Sequence, residues 1–295
     1  MIIECKNRDE WLSTRRQNMV TASDVAAILG FSPRGETAYD VYAKKKAGVE
    51  IDDNDAMLLG RCLEPGIADV YAAKTERRVE YPGPFAIFTH PDFPWLGSSL
   101  DRQTWRAEND VGPLEIKHAG RTKYSEWADG VPLWVEMQIQ TQIQCSEAQW
   151  GAYCGIVGGQ SIILGDVDRN QSWFESVIPE LELFHWRLRK NHPPEVISPK
   201  NLDSVKRLYS IDSGNTVSLG DEYLMLVNQW EEAKNNAKLH DSNADLIEAK
   251  LRDIMKDSTF GILNDGTVLT LKTTNKKGYT AVHQPVSYRT LRRTK

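Results

Sequence analysis

No run of apolar residues in this chain approaches the roughly 18 that a membrane-spanning helix needs, and the N-terminal MIIECKNRDEWL has no apolar signal core. Cysteine is sparse. Cys5, Cys62, Cys145 and Cys154 are scattered without CxxC spacing, which argues against a disulfide framework and a zinc ribbon. The expectation is a cytoplasmic protein with reduced thiols and no membrane association. GxSxG, a P-loop and HExxH are missing, and Gly151, Gly155 and Gly158 do not make GxGxxG, so the chemistries tied to those motifs are set aside. None of the six histidines stands at ligand spacing. Charge of one sign is missing too: 36 Lys and Arg against 41 Asp and Glu leave a net charge of −5. That balance does not advertise a nucleic-acid partner, although seven Lys or Arg and no acid fall between Lys272 and Lys295.

What is present is a globular composition, 40 % apolar and 26 % charged, in a chain long enough for one large domain and a smaller one. Thr21-Ala22-Ser23-Asp24 precedes the apolar VAAILG, so Thr21 or Ser23 can cap a short helix that ends at Gly30. A helix start with hydroxyls and a nearby arginine is also a ready phosphate site. Helices are expected over Ala38 to Lys46 and about Asp55 to Thr75, the second with Leu58, Leu59, Leu63, Ile67, Val70 and Tyr71 at helical spacing. Glu64 falls inside that pattern, where a carboxylate lies either on an exposed flank or against a partner or metal. Strands are expected at Arg78 to Tyr81, Phe85 to His90, Trp150 to Val157 and Ser161 to Val167, with a helix from Trp173 to Lys190. Between Leu133 and Cys145, Gln138, Gln140, Gln142 and Gln144 alternate with apolar residues, a pattern open to helix or strand. Strands interleaved with helices point to an α/β core with a mixed sheet.

The densest chemistry lies between Gly97 and His118, GSSLDRQTWRAENDVGPLEIKH. Asp101 closes one apolar run. Leu114 and Ile116 alternate with Glu115 and Lys117, which sends both charged residues to one side of a strand. Asn109, Asp110 and Gly112 mark a turn between the runs. A hairpin would bring Asp101, Glu115 and Lys117 together. Two carboxylates about 4 Å apart repel by roughly 4 kcal/mol at an effective dielectric near 20. A hard divalent cation such as Mg2+ relieves that repulsion and keeps positions open for phosphate oxygens. A lysine beside it can orient the attacking water. Taken alone, the same residue types also describe an ordinary solvated hairpin.

Five elements in order resemble one family: Trp11…Arg16…Thr21-Ala22-Ser23, Gly60…Glu64, Ser99-Leu100-Asp101, Leu114-Glu115-Ile116-Lys117 and Gln138-Ile139-Gln140. Together they are similar to the phage lambda exonuclease and YqaJ-type viral recombinase nucleases of the PD-(D/E)xK superfamily, over residues 10 to 190. The resemblance implies a restriction-endonuclease-like α/β (α+β) core, a central mixed sheet flanked by helices. It implies that Asp101 and Glu115 bind Mg2+, with Mn2+ able to substitute and two ions in the site. The Ile116 carbonyl and Glu64 would add ligands, Lys117 would position the water, and Gln138 would complete the site. Arg16, Ser23 and Ser99 match the pocket for a DNA 5′-phosphate. Leu100 replaces the proline of the PD motif, a position that shapes the turn without supplying a ligand. The related nucleases that carry an iron–sulfur cluster need four placed cysteines, a pattern missing here.

The implied activity is 5′→3′ degradation of one strand of linear double-stranded DNA from a 5′-phosphorylated end. A ring-shaped trimer would leave a 3′ overhang for a single-strand-annealing recombinase, in phage-type recombination within a bacterial host. The alternatives are an endonuclease or RNA-degrading nuclease on the same fold, and a non-catalytic DNA-binding module. The domains expected are a nuclease domain over 1–198 and an extension over 199–295. In the extension, Leu224, Val227, Trp230, Ala233 and Ala237, then Leu246, Ile247, Leu251 and Ile254, suggest a helical pair or one bent helix broken around His240 to Asn243. Asn264-Asp265-Gly266 marks a hairpin after it.

Overall fold

The computed structural model describes residues 1–17, 19–48, 54–275 and 288–293, apart from the side chains of Arg16 and Gln17. Two compact units are present, Met1–Ser210 and Ile211–Lys295. The first opens with β1 (Ile2–Glu4), α1 (Arg8–Gln17), β2 (Val20–Thr21) and α2 (Ala22–Ile28). Thr21, not Ser23, caps α2: its N–H and hydroxyl both donate to the Asp24 carboxylate, at 2.8 and 2.6 Å. Gly30 follows α2 with a φ of +82°, a conformation glycine adopts without a Cβ penalty.

Next come α3 (Ala38–Ala47) and α4 (Asp55–Thr75). Only the second half of α4 packs. Ile67, Ala68 and Tyr71 are buried, whereas Leu58, Leu59 and Leu63 are exposed, so the apolar stripe expected over the whole helix meets the core only from Ile67 onward. The chain continues through β3 (Val79–Glu80), β4 (Ala86–Thr89), β5 (Leu96–Ser98), β6 (Arg102–Ala107) and β7 (Asp110–Ala119). A 3-10 turn (Arg121–Trp127) leads to α5 (Leu133–Ser146), β8 (Trp150–Val157), β9 (Ser161–Asp168), α6 (Gln171–Lys190) and α7 (Asn201–Leu208).

One sheet has the order β3-β6-β7-β8-β9, antiparallel except for the β7–β8 pair. The other has the order β1-β4-β5-β2, with β2 parallel to β5. The hairpin expected around Asp101 and Glu115 takes a different form. The chain leaves one sheet at Ser98 and enters the other at Arg102, so Asp101 lies in the passage between sheets. The hairpin is β6–β7, turning at Glu108 and Asn109, with Arg102 opposite Leu114. Gly112 lies inside β7 rather than in the turn. A Cβ there would stand 2.6 Å from the Trp150 carbonyl oxygen, so close strand packing is what requires the glycine.

The five-stranded sheet is covered on both faces. Ile67, Ala68 and Tyr71 of α4 pack on Leu114, Ile116, Ala152 and Cys154. On the other face Val135, Ile139 and Ile143 of α5 meet Tyr153 and Val157. Full burial of each such aliphatic side chain contributes about 1.5–3 kcal/mol. The glutamine-rich segment is therefore a helix, and helical spacing sorts its glutamines onto two sides. Gln140 donates to the Asp168 carbonyl at 2.8 Å and accepts from the Asn170 N–H at 2.9 Å, and Gln144 accepts from Arg169. These pairs tie α5 to the β9–α6 connection. Past Pro199 the first unit continues: Asn201 is fully buried and donates to Thr37 Oγ1 and Asp40 Oδ2, both at 2.8 Å. Those bonds fix α7 on α3.

The second unit contains α8 (Asp221–Met255) and a hairpin of β10 (Phe260–Ile262) and β11 (Val268–Thr270). α8 runs unbroken for 35 residues through His240 to Asn243. Residues 240–243 contain neither proline nor glycine, and their helix propensities cost only a few tenths of a kcal/mol each, about 0.7 at most. In the hairpin turn Asp265 Oδ1 accepts the Thr267 N–H at 2.9 Å and Gly266 has φ +85°. Of the basic tail, Lys276, Lys277 and Lys295 lie outside the described residues, whereas Arg293 pairs with Glu231 at 2.7 Å. Among the described residues no helix is long and apolar enough to cross a membrane.

Candidate active site

β7 presents Glu115 and Lys117 on the α5 side because Leu114 and Ile116 occupy the α4 side. Glu115 is 1 % exposed, and both its oxygens are occupied. Oε1 accepts from Gln138 Nε2 at 2.8 Å and pairs with the Lys117 ammonium; Oε2 accepts from Gln142 Nε2 at 2.6 Å. Lys117 also donates to Gln138 Oε1 at 3.2 Å and lies 5.3 Å from the centre of the Trp134 ring. Asp101 joins from the intersheet passage, its Oδ2 accepting the Ile116 N–H at 2.8 Å. Asp101, Glu115, Lys117 and Gln138 are thus brought together.

The electrostatics of this cluster are unbalanced. Burial, reinforced by the neighbouring Glu115 carboxylate, drives the Asp101 carboxyl well above its ordinary range, against the opposing pull of Lys117 and the Ile116 N–H. Burial alone would depress the Lys117 ammonium, but Glu115 and Asp101 outweigh it and hold the group above its usual value. Two acids compete for one cation. A hard divalent ion relieves such a competition directly, and two carboxylates with a strand carbonyl form an oxygen set that suits Mg2+ or Mn2+. Glu64 does not join the pair: its Oε1 lies 2.6 Å from Arg102 Nη1, and Arg102 also donates to the Asp101 carbonyl. Among the described residues no group of three or more His, Cys, Asp or Glu side chains converges as a metal cage.

A cleft of about 210 Å³ opens beside the acids, lined by Trp11, Arg15, Ser23, Ser99, Asp101 and Gln138 among others. Ser99 Oγ accepts from Trp11 Nε1 at 3.0 Å and donates to the Ala86 carbonyl at 3.1 Å. Ser23 Oγ lies 3.1 Å from Thr21 Oγ1 and 3.5 Å from Arg15 Nη2, and the Arg15 guanidinium sits 4.3 Å over the Trp11 ring. Behind the cleft Lys45 Nζ pairs with Asp24 at 2.8 Å and donates to the Arg15 carbonyl at 3.2 Å. Burial alone would raise the Asp24 carboxyl, yet Lys45 and Thr21 more than reverse it. This partly buried pair ties the last turn of α1 to the start of α2.

Residues 10–149, from α1 to just past α5, match the model of the YqaJ-like viral recombinase domain. Over that stretch the chain is similar to the YqaJ-like viral recombinase family. The fold is similar to that of LHK-Exo, an alkaline exonuclease from Laribacter hongkongensis, at 23 % identity and a TM-score of 0.52 over 63 % of this chain and 94 % of that one. The same exonuclease in complex with dAMP gives a TM-score of 0.50 at 23 % identity over the same shares. No curated protein sequence matches the chain.

Two residues of the site are not among those the sequence singles out. The side chain of Arg16 lies outside the described residues, and among those described Arg15 is the arginine that lines the cleft. The signal was available: Arg15 stands one helical turn after Trp11 and so shares its face. Gln142 likewise stands one turn after Gln138. Its Oε1 is buried without a hydrogen-bond partner among the described residues. Such an orphan costs about 1–3 kcal/mol that an apolar side chain would avoid. What the glutamine supplies in return is the N–H on Glu115.

Proposed function

We propose that the YqaJ-like domain makes this chain a Mg2+-dependent exonuclease that removes one strand of linear duplex DNA 5′→3′ from a 5′-phosphorylated end. The observation that carries the reading is the shared cleft, in which Arg15, Ser23 and Ser99 lie beside Asp101 and Gln138. An arginine fork with the Ser23 hydroxyl suits a terminal phosphate, the Ser99 hydroxyl would join on turning from the Ala86 carbonyl, and the place of this group next to the acids sets which phosphodiester is cut. Asp101 and Glu115, with the Ile116 carbonyl, would hold Mg2+ or in its place Mn2+, and Glu64 would serve a second ion once released from Arg102. The ion, when bound, supplies Lewis acidity toward the scissile phosphate. Lys117, kept charged by its two acids, orients the attacking water. Gln138 bridges Lys117 and Glu115 and holds that geometry. The 3′ overhang would pass to a single-strand-annealing recombinase, and a ring trimer around the duplex, in the cytoplasm of a bacterial host, fits the family resemblance.

The test compares linear duplex bearing a 5′-phosphate, the same duplex bearing a 5′-hydroxyl, and a covalently closed circle, each with Mg2+, with Lys117→Ala as the contamination control. Fastest loss of the phosphorylated duplex, an intact circle and a silent variant are expected. Cutting of the circle at a comparable rate would replace the exonuclease by an endonuclease. No cutting of any substrate would leave a DNA-binding module.

A further inference from the structure

Nine apolar side chains of α8 follow a seven-residue repeat, and Leu224, Met225, Val227, Leu239, Leu246, Ala249 and Met255 fall outside it. Tyr223, Trp230, Ala237, Ala244 and Leu251 recur every seven residues, and Leu226, Ala233, His240, Ile247 and Ile254 follow each by three. All but His240 are apolar. A repeat of 3.5 residues stays on one side of a helix about 52 Å long only when the helix winds around a partner. No residue of α8 is buried; Leu226, Ile247, Leu251 and Ile254 are 60, 58, 41 and 76 % exposed. Helices in proteins draw most of their stability from packing an apolar face, and within the second unit none of the described residues gives this one such cover.

We propose that the seam is filled by α8 of a second copy of the chain, running antiparallel. The seam is its own complement when reversed. Tyr223 then meets Ile254 of the second copy, Leu226 meets Leu251, Trp230 meets Ile247, Ala233 meets Ala244, and Ala237 meets His240. Large side chains fill the layers at both ends, small ones fill the middle, and every seam residue is used. The flanks agree. Lys234 falls beside Asp241 of the second copy, and the twofold axis repeats that pair, while Gln229 falls beside Lys250 and Asn236 beside Asn243. A parallel pairing instead stacks Trp230 on Trp230 and His240 on His240, and sets Lys234 beside Gln229 with no acid. The antiparallel contact is isologous and closes at two copies.

The full chain tests this through its mass in solution and through cross-linking. In a Cys62→Ser background, which removes the exposed native thiol, Ala233→Cys and Ala244→Cys are oxidised singly and as the double variant. The double variant is expected to form a covalent pair and the single variants are not; a pair formed by Ala233→Cys alone marks the parallel arrangement and overturns the proposal. By light scattering, Leu226→Asp with Ile247→Asp is expected to lower the mass, from twice that of the assembly built by the first unit alone to that assembly, while Leu239→Asp, off the seam, leaves it unchanged. An unchanged mass in the seam variant, or dissociation by Leu239→Asp as well, overturns it. Duplex cleavage, followed in parallel, reports on the nuclease reading separately.

Discussion

α5 and α8 treat polarity in opposite ways. The 14-residue α5 buries Gln140, Gln142 and Gln144 beside Ile139 and Ile143, whereas the 35-residue α8 leaves Leu226, Ile247 and Ile254 in the open. In α5 nearly every buried amide group has a named partner, and those partners are the Glu115 carboxylate and the turn that positions α6. The helix is sealed in place and can aim side chains. In α8 the exposed residues are regular but have nothing to aim at among the described residues of their own unit. A polar interior marks a helix that serves a site, and a periodic apolar exterior marks one that serves a contact.

The largest break in this contrast should come at the target of the α5 glutamines. Glu115→Gln is expected to slow single-turnover cleavage by on the order of 10³-fold, since it removes a carboxylate from the site without removing its volume; a loss under tenfold would show that Glu115 is structural. Next in size is stability. Ile139→Ala should lower the free energy of unfolding by about 2–5 kcal/mol in a denaturant titration, while Leu239→Ala on α8, 58 % exposed, should stay within about 0.5 kcal/mol. Equal costs would mean that α8 is covered in solution on its Leu239 side.

Gln142→Met should keep the shape of α5 and remove the orphan carbonyl together with the N–H to Glu115. Calorimetric Mg2+ affinity is expected to fall roughly 10–100-fold with little change in thermal midpoint; a midpoint shift with unchanged affinity would reassign Gln142 to packing. The smallest effect is chemical. Burial pushes the Cys145 thiol of α5 up to about 12, so alkylation there should be negligible up to about pH 10, whereas Leu239→Cys on α8 should react with a midpoint near pH 8.5. Mass spectrometry after iodoacetamide treatment at stepped pH separates the two.

Much of the site was legible because strand periodicity is strict: Leu114-Glu115-Ile116-Lys117 admits one arrangement of charged and apolar faces, and the structure has it. The passage of Asp101 between two sheets was not legible, since Leu96 to Leu100 reads the same whether the next strand pairs with its own sheet or another. Gln142 and Arg15 required the helical period to be applied forward from residues already recognised. The α5 pattern was ambiguous because its glutamines are buried, and burial of amides depends on partners distant in sequence. Leu58, Leu59 and Leu63 carried a true helix signal and no information about where the sheet ends. In the second unit the apparent interruption at His240 to Asn243 is a change in residue type, and the backbone passes through it.

The passage at Ser99, Leu100 and Asp101 has a bearing on how such a chain can change length. Its connection is short, and its two ends are fixed in different sheets, so an inserted or deleted residue there would move the Asp101 carboxylate off the Ile116 N–H. The turn at Glu108 and Asn109 lies at the other end of β6 and is free of that constraint. Among length variants of this fold, indels should accumulate at the second position and be purged at the first.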